Sequence, residues 1–525
     1  MQALLKSSEL SENFEFIDEP ELSISERLKK YYHDETLFDK LNDERELGLT
    51  GPTIERFKEA IDSLVKRNAK VLIVSDYDCD GVTSLTIMVR LFAHLGLKVN
   101  YYIPSRIKEG YGLSVRIVEM AHKNGFDTIL TLDNGIVAFE ALDKAKEYGI
   151  EVNIVDHHEY QSLPDVNAVV HPNLLDDYYE GLCTGGLTYL ISKQYYEDDY
   201  SAILAMVATL ADVCKVFKGN RMLLKNGLER LNNYTGQPLP IHYLLKKQKS
   251  YTFSDISFQL VPKINAISRM DHLTNINMFA KFMLDTEHAN LETVEQINKI
   301  NDIRKQLSRD LAEQAATEID PNQNIIVVYD DEFVEGLCGL IATNLVRRFD
   351  KPCLVLTKGE NDVIKGSGRS IDGFDLYGNL STLKDLFTSF GGHQKAVGLS
   401  LNAKDFEEFK DRLSEIKVEV VKKKKPCLLV QYAELNNDNF EFLNQLEPYG
   451  EGFEEPLFCV VRPVIKSKFL IKNLYPKFTF DNGSEAISFD KSTYVDHAEA
   501  MIGHLGFNSF NHKVKLNLNL ENVVI

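Results

Sequence analysis

No run of apolar residues in this 525-residue chain approaches the roughly 18 that cross a bilayer, which argues against a membrane helix. The opening residues, Met-Gln-Ala-Leu-Leu-Lys-Ser-Ser-Glu, lack the apolar core of a secretion signal. Cysteine is scarce. The seven present are odd in number, scattered and without paired spacing, which argues for reduced thiols and a cytoplasmic setting. Positive charge is short too: 59 Lys and Arg face 78 Asp and Glu, a net charge of -19. That balance looks wrong for a nucleic-acid binder. It excludes little, because net charge governs long-range steering while a local basic groove can still hold phosphates. Bound divalent cations would also bring positive charge of their own. The pattern Gly-x-x-x-x-Gly-Lys-[Ser/Thr] is absent, which argues against an ATP-driven motor. What is present is an ordinary globular composition, 44% apolar and 26% charged. The length calls for about two to four domains.

Residues 1–69 read as a polar, partly helical segment, with an amphipathic stretch over Ile54–Arg67. From 70 onward, strand and helix patterns alternate. Strands are expected at Val71–Ser75, Val99–Ile103, Thr128–Leu132 and Val152–Val155. Helices are expected at Ser84–Leu95, Ser114–Asn124, Ala138–Tyr148, Leu187–Tyr196 and Ala202–Ala211. Near-continuous apolar strands with short connections predict an α/β fold with a mostly parallel sheet covered on both faces. This first lobe runs over 70–284. The charged, helical stretch Leu291–Thr317 suits a connector over 285–320. A second α/β lobe follows over 321–417, from the strand Ile325–Tyr329 through a helix at Leu340–Phe349 to the strand Cys353–Thr357. A basic boundary at 418–426, with the run Lys422–Lys425, precedes short strands at Phe458–Lys466, Lys477–Phe480, Ala486–Phe489 and Lys513–Leu520. They fit a small β-barrel over 427–525.

The chemistry is concentrated where strands end. Val71-Leu-Ile-Val-Ser is followed at once by Asp76, Asp78 and Asp80, then Gly81. A buried strand does not end in stacked negative charge without something to neutralise it. A hard divalent cation with oxygen ligands suits three carboxylates. An extended segment would put all three on one face. Cys79, between them, reads as small filler turned away from the acids. The arrangement recurs at Leu132-Asp133 and at Val155-Asp156-His157-His158, and Asp212 follows an apolar helix. Ligands at the ends of three strands and one helix describe a polydentate two-metal site, where one metal can activate water and both can hold a phosphoryl group. His157 is the chosen imidazole ligand, with Asp156 available to support it. His158 is left to orient it, to contact phosphate or to act as an acid.

Asp76-Tyr-Asp-Cys-Asp-Gly81 together with Asp156-His-His158 resembles the DHH phosphoesterase superfamily, and most closely its RecJ-type single-strand-specific exonucleases. Leu132-Asp-Asn-Gly-Ile136, Leu210-Ala-Asp-Val213 and Pro262-Lys-Ile-Asn-Ala-Ile-Ser-Arg269 look like the same branch. So do Gly366-Ser-Gly-Arg-Ser370, Gly391-Gly-His-Gln-Lys-Ala-Val-Gly398 and Leu446-Glu-Pro-Tyr-Gly-Glu-Gly452. The resemblance implies a DHH lobe and a DHHA1 lobe joined by a long helix, then an OB-like nucleic-acid-binding domain. It implies two divalent cations, Mn²⁺ or Mg²⁺, and 5′→3′ degradation of single-stranded DNA to mononucleotides in recombination and repair. Carried onto this chain, it makes Asp78, Asp80, Asp133, His157 and Asp212 metal ligands. Asp76 is a further ligand or a supporting acid, and Asp80, Asp133, His157 and His158 are the catalytic group. The sequence departs from the family's usual form at Cys79, at Ile267-Ser268 and at the longer Gly452-Phe-Glu-Glu-Pro456.

Phosphate contacts are expected from glycine loops, whose exposed amides bind anions, and from arginine forks. The candidates are Arg106, Arg269, Ser367, Arg369, Ser370, Gly391, Gly392 and His393. Arg269 is the candidate for a terminal 5′-phosphate, with pairing to Asp271 as the structural alternative. Tyr111 is either near the site or packing. Expected partners are single-stranded DNA and a single-strand-binding protein or helicase, with no membrane, and the chain is expected to act as a monomer. The rival readings are a phosphodiesterase for short oligonucleotides or cyclic dinucleotides, and a non-catalytic scaffold.

Overall fold

The computed structural model describes residues 13–288, 290–320, 322–420, 423–431, 434, 436–510 and 513–524. They form two compact units. No helix among the described residues is long and apolar enough to cross a membrane, and all seven cysteines are free thiols.

The larger unit comprises Glu46–Cys214 and Met222–Val421. Its first sheet is wholly parallel, in the spatial order Asn100–Tyr102, Val71–Ser75, Thr128–Leu132, Glu151–Val155, Ala168–Val170. The strands Val71–Ser75 and Thr128–Leu132, side by side within it, are buried at every residue. Parallel strands end at one edge, and the register aligns Ser75, Leu132 and Val155. The next residues continue the ladder: the amides of Asp76, Asp133 and Asp156 donate to the carbonyls of Leu132, Val155 and Val170 at 3.2, 3.0 and 3.1 Å. Strand order reverses between Val71–Ser75 and Thr128–Leu132, and such a switch point opens a crevice beyond the strand ends.

The 27-residue helix Leu291–Thr317 leads to the second lobe, at about 1.5 Å per residue roughly 40 Å long. That lobe holds a mixed sheet in the order Phe387–His393, Ala396–Asn402, Val363–Arg369, Cys353–Lys358, Ile326–Tyr329. The glycine segments Gly366–Ser370 and Gly391–Lys395, expected as loops, lie largely within strands: Val363–Arg369 and Phe387–His393, which pair with Ala396–Asn402. Glycine serves close packing at Gly366, where an added Cβ would lie 2.1 Å from the Val355 carbonyl oxygen.

The smaller unit comprises Met1–Arg45, Lys215–Arg221 and Lys422–Ile525. The single N-terminal segment expected over 1–69 is therefore divided between the units. Phe14–Ile17 adds a parallel strand to Lys425–Val430, the first pair in an eight-stranded sheet. Arg27, on the helix Ile24–Tyr31, is buried, donates to the Leu429 carbonyl at 3.1 Å and pairs with Glu434. Arg221 donates to the carbonyls of Leu446, Glu447 and Pro448 at 2.8, 3.0 and 3.1 Å. The strand expected over Phe458–Lys466 is two, Phe458–Val461 and Ile465–Ile471. Arg462 breaks it at φ 49°, followed by Pro463, which has no amide to donate. Of the basic run, Lys422 lies outside the described residues.

Candidate metal centre and phosphate site

The acidic run is not extended. A helix begins at Cys79, five residues earlier than the sequence pattern suggested, and runs to His94. Asp78 caps it, accepting from the Gly81 amide at 3.1 Å, and Asp80 lies in the first turn. The helix starts so near the strand that a Cβ on residue 81 would fall 2.3 Å from the Asp76 carbonyl oxygen, which only glycine avoids. The turn, not a pleat, distributes the three carboxylates: Asp76 and Asp78 group with Asp133, and Asp80 with His157 and Asp212. Cys79 is buried, and its amide donates to Asn265 Oδ1 at 3.0 Å.

Asp80 is 1% exposed and held from a second helix: the Thr184 and Gly185 amides, at the start of Thr184–Ser192, donate to its two oxygens at 2.8 and 2.6 Å. A helix N-terminus favours a carboxylate there. Asp133 sits at φ 62°, an uncommon conformation for a residue with a Cβ, where its side chain accepts from Thr184 Oγ1 at 3.1 Å. Tyr111 settles near the site: its hydroxyl donates to the Asp133 carbonyl at 2.7 Å and lies 3.2 Å from His158 Nδ1. Thr184 and Gly185 escaped the sequence reading, and Asn265 entered it only as part of the segment Pro262–Arg269. The signal available was an N-terminal helical turn rich in small residues, Thr184-Gly-Gly186.

His157 stands among the acids. Its Nε2 is 3.2 Å from Asp133 and 3.8 Å from Asp80, and its Nδ1 is 3.7 Å from Asp212. Asp156 supports the other histidine, correcting the expectation that it would serve His157. Its Oδ1 lies 2.8 Å from His158 Nδ1 while its Oδ2 accepts from the Ile136 amide at 3.1 Å. Three groups bring one donor atom each within 4.8 Å of one another: Asp133, His157 and His158; Asp80, His157 and Asp212; Asp76, Asp78 and Asp133. All six residues expected as ligands thus share one cluster.

Its electrostatics carry a deficit of positive charge. Burial, then the neighbouring Asp78, push the Asp76 carboxyl well above the usual range. Burial, then the Asp80 charge, do the same to Asp133. Burial raises Asp80 as well, against the pull of His157. Asp212 is pushed up to about 6 by burial and by Asp80. Burial opposes the charged form of His158, yet the Asp156 hydrogen bond and charge outweigh it and raise the imidazole to about 9. Asp76 Oδ1 is buried with no hydrogen-bond partner among the described residues. Crowded carboxylates, an orphaned acceptor and imidazoles form a donor set that fits hard or borderline divalent cations.

The opposite deficit lies nearby in the same unit. Burial, then Arg106 and Arg369, depress the Arg269 guanidinium to about 9. Among the described residues, no carboxylate forms an ion pair with Arg106, Arg269 or Arg369. Arg269 Nη1 donates to the Gly336 carbonyl at 3.3 Å, Arg369 Nη1 to the Gly368 carbonyl at 2.8 Å, and Arg106 stacks over Tyr77 at 4.9 Å. Asp271 accepts instead from Ser105 and the Ile107 amide, so the alternative pairing with Arg269 is not formed. In the second sheet the ladder aligns Arg369 with Ala396 and His393, and Ser367 with Gly398 and Gly391. Aligned residues share a face, so His393 lies on the Arg369 side, two strands or roughly 10 Å away. Gly392, one residue out of step, belongs to the other face. Ser370 is occupied elsewhere, its hydroxyl donating to the Phe374 carbonyl at 2.7 Å.

Two lobes with acids at parallel strand ends are the architecture of a DHH/DHHA1 phosphoesterase. Family models agree: the DHH family N-terminal domain matches residues 70–213, the DHHA1 domain 322–419 and the RecJ OB domain 428–522. The single-stranded-DNA-specific exonuclease RecJ of Bacillus subtilis is 29% identical over 500 residues, covering 89% of this chain. The chain spans 63% of that relative's length. The crystal structure of RecJ from Thermus thermophilus in complex with Mn²⁺ superposes with a TM-score of 0.79 at 24% identity, over 93% of this chain and 73% of that one. A crystal structure of exonuclease RecJ bound to manganese matches at 28% identity and a TM-score of 0.58, over 70% of this chain and 94% of that one. The chain belongs to the RecJ branch of the DHH/DHHA1 superfamily.

Proposed function

We propose that this chain is a metal-dependent exonuclease that degrades single-stranded DNA 5′→3′ to 5′-mononucleotides, in recombination and repair. The observation that carries the reading is the pairing, in one unit, of a cation-deficient cluster with an arginine group lacking carboxylate partners. Asp76, Asp78, Asp80, Asp133, His157 and Asp212 would hold two divalent cations, Mn²⁺ or Mg²⁺, in keeping with the manganese in a relative's structure. Bound there, the cations supply charge neutralisation for the phosphodiester and acidify water. The chain's own groups do the rest. The Thr184 and Gly185 amides fix Asp80, and the strained turn at Asp133 aims its carboxylate inward. His158, oriented by Asp156, presents its ring to the phosphate or leaving oxygen.

Arg106, Arg269 and Arg369 would grip the terminal 5′-phosphate, so that scission falls one nucleotide in. Ser367, Gly391 and His393 extend that face along the sheet; Ser370 and Gly392 act through the turn and hairpin that hold it. The smaller unit offers a stacking surface for the strand: Phe489 is 75% exposed beside Tyr475 at 5.5 Å, and Lys468 lies over Tyr494 at 4.4 Å. Exposed aromatics interleaved with lysines suit unpaired bases, and a dinucleotide substrate needs no such surface. Free thiols support a cytoplasmic setting. There the chain would act as a monomer on strands supplied by a helicase or held by a single-strand-binding protein.

The test uses 5′-labelled single and double strands with Mn²⁺, Mg²⁺ or chelator. Labelled mononucleotide should appear first, from single strands only, and never with chelator. Equal rates on dinucleotides and long strands would favour the short-oligonucleotide reading, and no hydrolysis with either metal would leave the scaffold.

A further inference from the structure

Two thiols that the chemistry above does not use lie directly behind it. Cys183 immediately precedes Thr184 and Gly185, whose amides hold the two oxygens of Asp80. Cys214 follows Asp212 by two residues and donates from its Sγ to Asp212 Oδ2 at 3.7 Å. Both meet at Thr209. Cys183 Sγ is 3.8 Å from Thr209 Oγ1, and the Cys214 amide donates to the Thr209 carbonyl at 3.2 Å. Cys214 is also an electrostatic neighbour of the Cys183 thiol. Val213, at φ 53°, closes the helix Asp199–Ala211 with a left-handed cap: its amide and that of Cys214 donate to the Leu210 and Thr209 carbonyls at 3.4 and 3.2 Å. The cap folds Cys214 back over the last helical turn, beside Thr209.

The geometry points to Cys183 and Cys214 as a reversible disulfide that disables the carboxylate cluster under oxidation, an inference that rests on the function proposed above. Cys214 is partly exposed and meets the oxidant first, while Cys183 is fully buried. With hydrogen peroxide as oxidant, the Cys214 thiol takes one oxygen to become a sulfenic acid and releases one water. The Cys183 sulfur then attacks the Cys214 sulfur, forming the S–S bond and expelling a second water. Two thiols are oxidised by two electrons and one peroxide is reduced to two waters. A disulfide requires a sulfur–sulfur distance of about 2.05 Å. Drawing the sulfurs together around Thr209 into a bond displaces the Thr184–Gly185 amides, the Asp212 turn or both, and so separates two carboxylates that now flank His157. The chain's other adjacent thiols, Cys427 and Cys459 on neighbouring strands, are both fully buried and lack an exposed first target.

The experiment treats the full chain with hydrogen peroxide, then maps peptides by mass spectrometry and measures Mn²⁺ binding by electron paramagnetic resonance. A cross-linked Cys183–Cys214 peptide should appear, Mn²⁺ affinity should fall at least about tenfold, and dithiothreitol should restore both. Each variant is compared with its own reduced form: C214S and C183A should lose the peroxide effect. Absence of the cross-link, an unchanged Mn²⁺ affinity in the cross-linked protein, or equal sensitivity of C214S overturns the proposal. Failure of the reduced protein to bind Mn²⁺ or cut DNA overturns the nuclease reading instead, and peptide mapping separates the two failures.

Discussion

The carboxylate cluster and the arginine group are built in opposite ways. Each acid is tied to regular backbone. Asp76, Asp133 and Asp156 extend the ladder of the parallel sheet, and Asp80 is clasped by the first amides of a helix. The arginines reach in from separate elements and rest on carbonyls or a ring, at Gly336, Gly368 and Tyr77. The first arrangement fixes donor atoms to fractions of an ångström, as coordination demands. The second leaves long side chains room to close on a charged end. Each region holds an excess of charge of one sign, and under the proposed function the partner that would balance it differs: cations in one, an anion in the other. The chain's net charge of -19 therefore says little about what it binds.

Breaking the two regions separately should give different kinetic signatures. The largest effect is expected from D133A or D80A. Turnover should fall roughly a thousandfold or more on every substrate while circular dichroism stays native, since the mutation removes a ligand and relieves crowding. Near-normal turnover in either variant would remove the metal assignment. D156N comes next. It frees the His158 ring, and roughly a ten- to hundredfold loss in kcat is expected, with little change in KM. R269A should discriminate among substrates. Lost charge-assisted hydrogen bonds are worth about 1.5–3 kcal/mol, so KM should rise roughly ten- to hundredfold for 5′-phosphorylated strands. Strands ending in a 5′-hydroxyl should be almost unaffected; equal losses on both would deny Arg269 the terminal phosphate. The smallest effect belongs to F489A, which should weaken binding of long strands by about 1–3 kcal/mol, measured by fluorescence anisotropy, and spare dinucleotides.

The acidic half was far more legible than the basic half, for a physical reason. Val71–Ser75 and Thr128–Leu132 carry no charge and are buried at every position because both sheet faces are covered, so their ends, and the acids there, stand out. The Leu291–Thr317 helix was legible to the residue because its period persists over 27 positions. Glycine misled. In Gly366-Ser-Gly368 it suggested a loop, whereas its role is to let neighbouring strands and side chains approach. The helix start at Cys79 was hidden because acids in a first turn look like a polar loop until the amides they cap are seen. Thr184 and Gly185 contribute main-chain amides, and a main-chain donor leaves almost no trace in residue identity. Phe14–Ile17 was illegible for another reason, since four residues are too few to show a period and their partner is remote in sequence.

That opening strand has a consequence for how the molecule is made. Phe14 pairs with Lys425, and Arg27 with a carbonyl 402 residues further on. At a synthesis rate of about 5–20 residues per second, the first strand emerges from the ribosome roughly 20–80 seconds before its neighbour exists. Its apolar edge must wait in solvent or under a chaperone throughout, while the lobe that carries the carboxylate cluster can finish folding in the meantime.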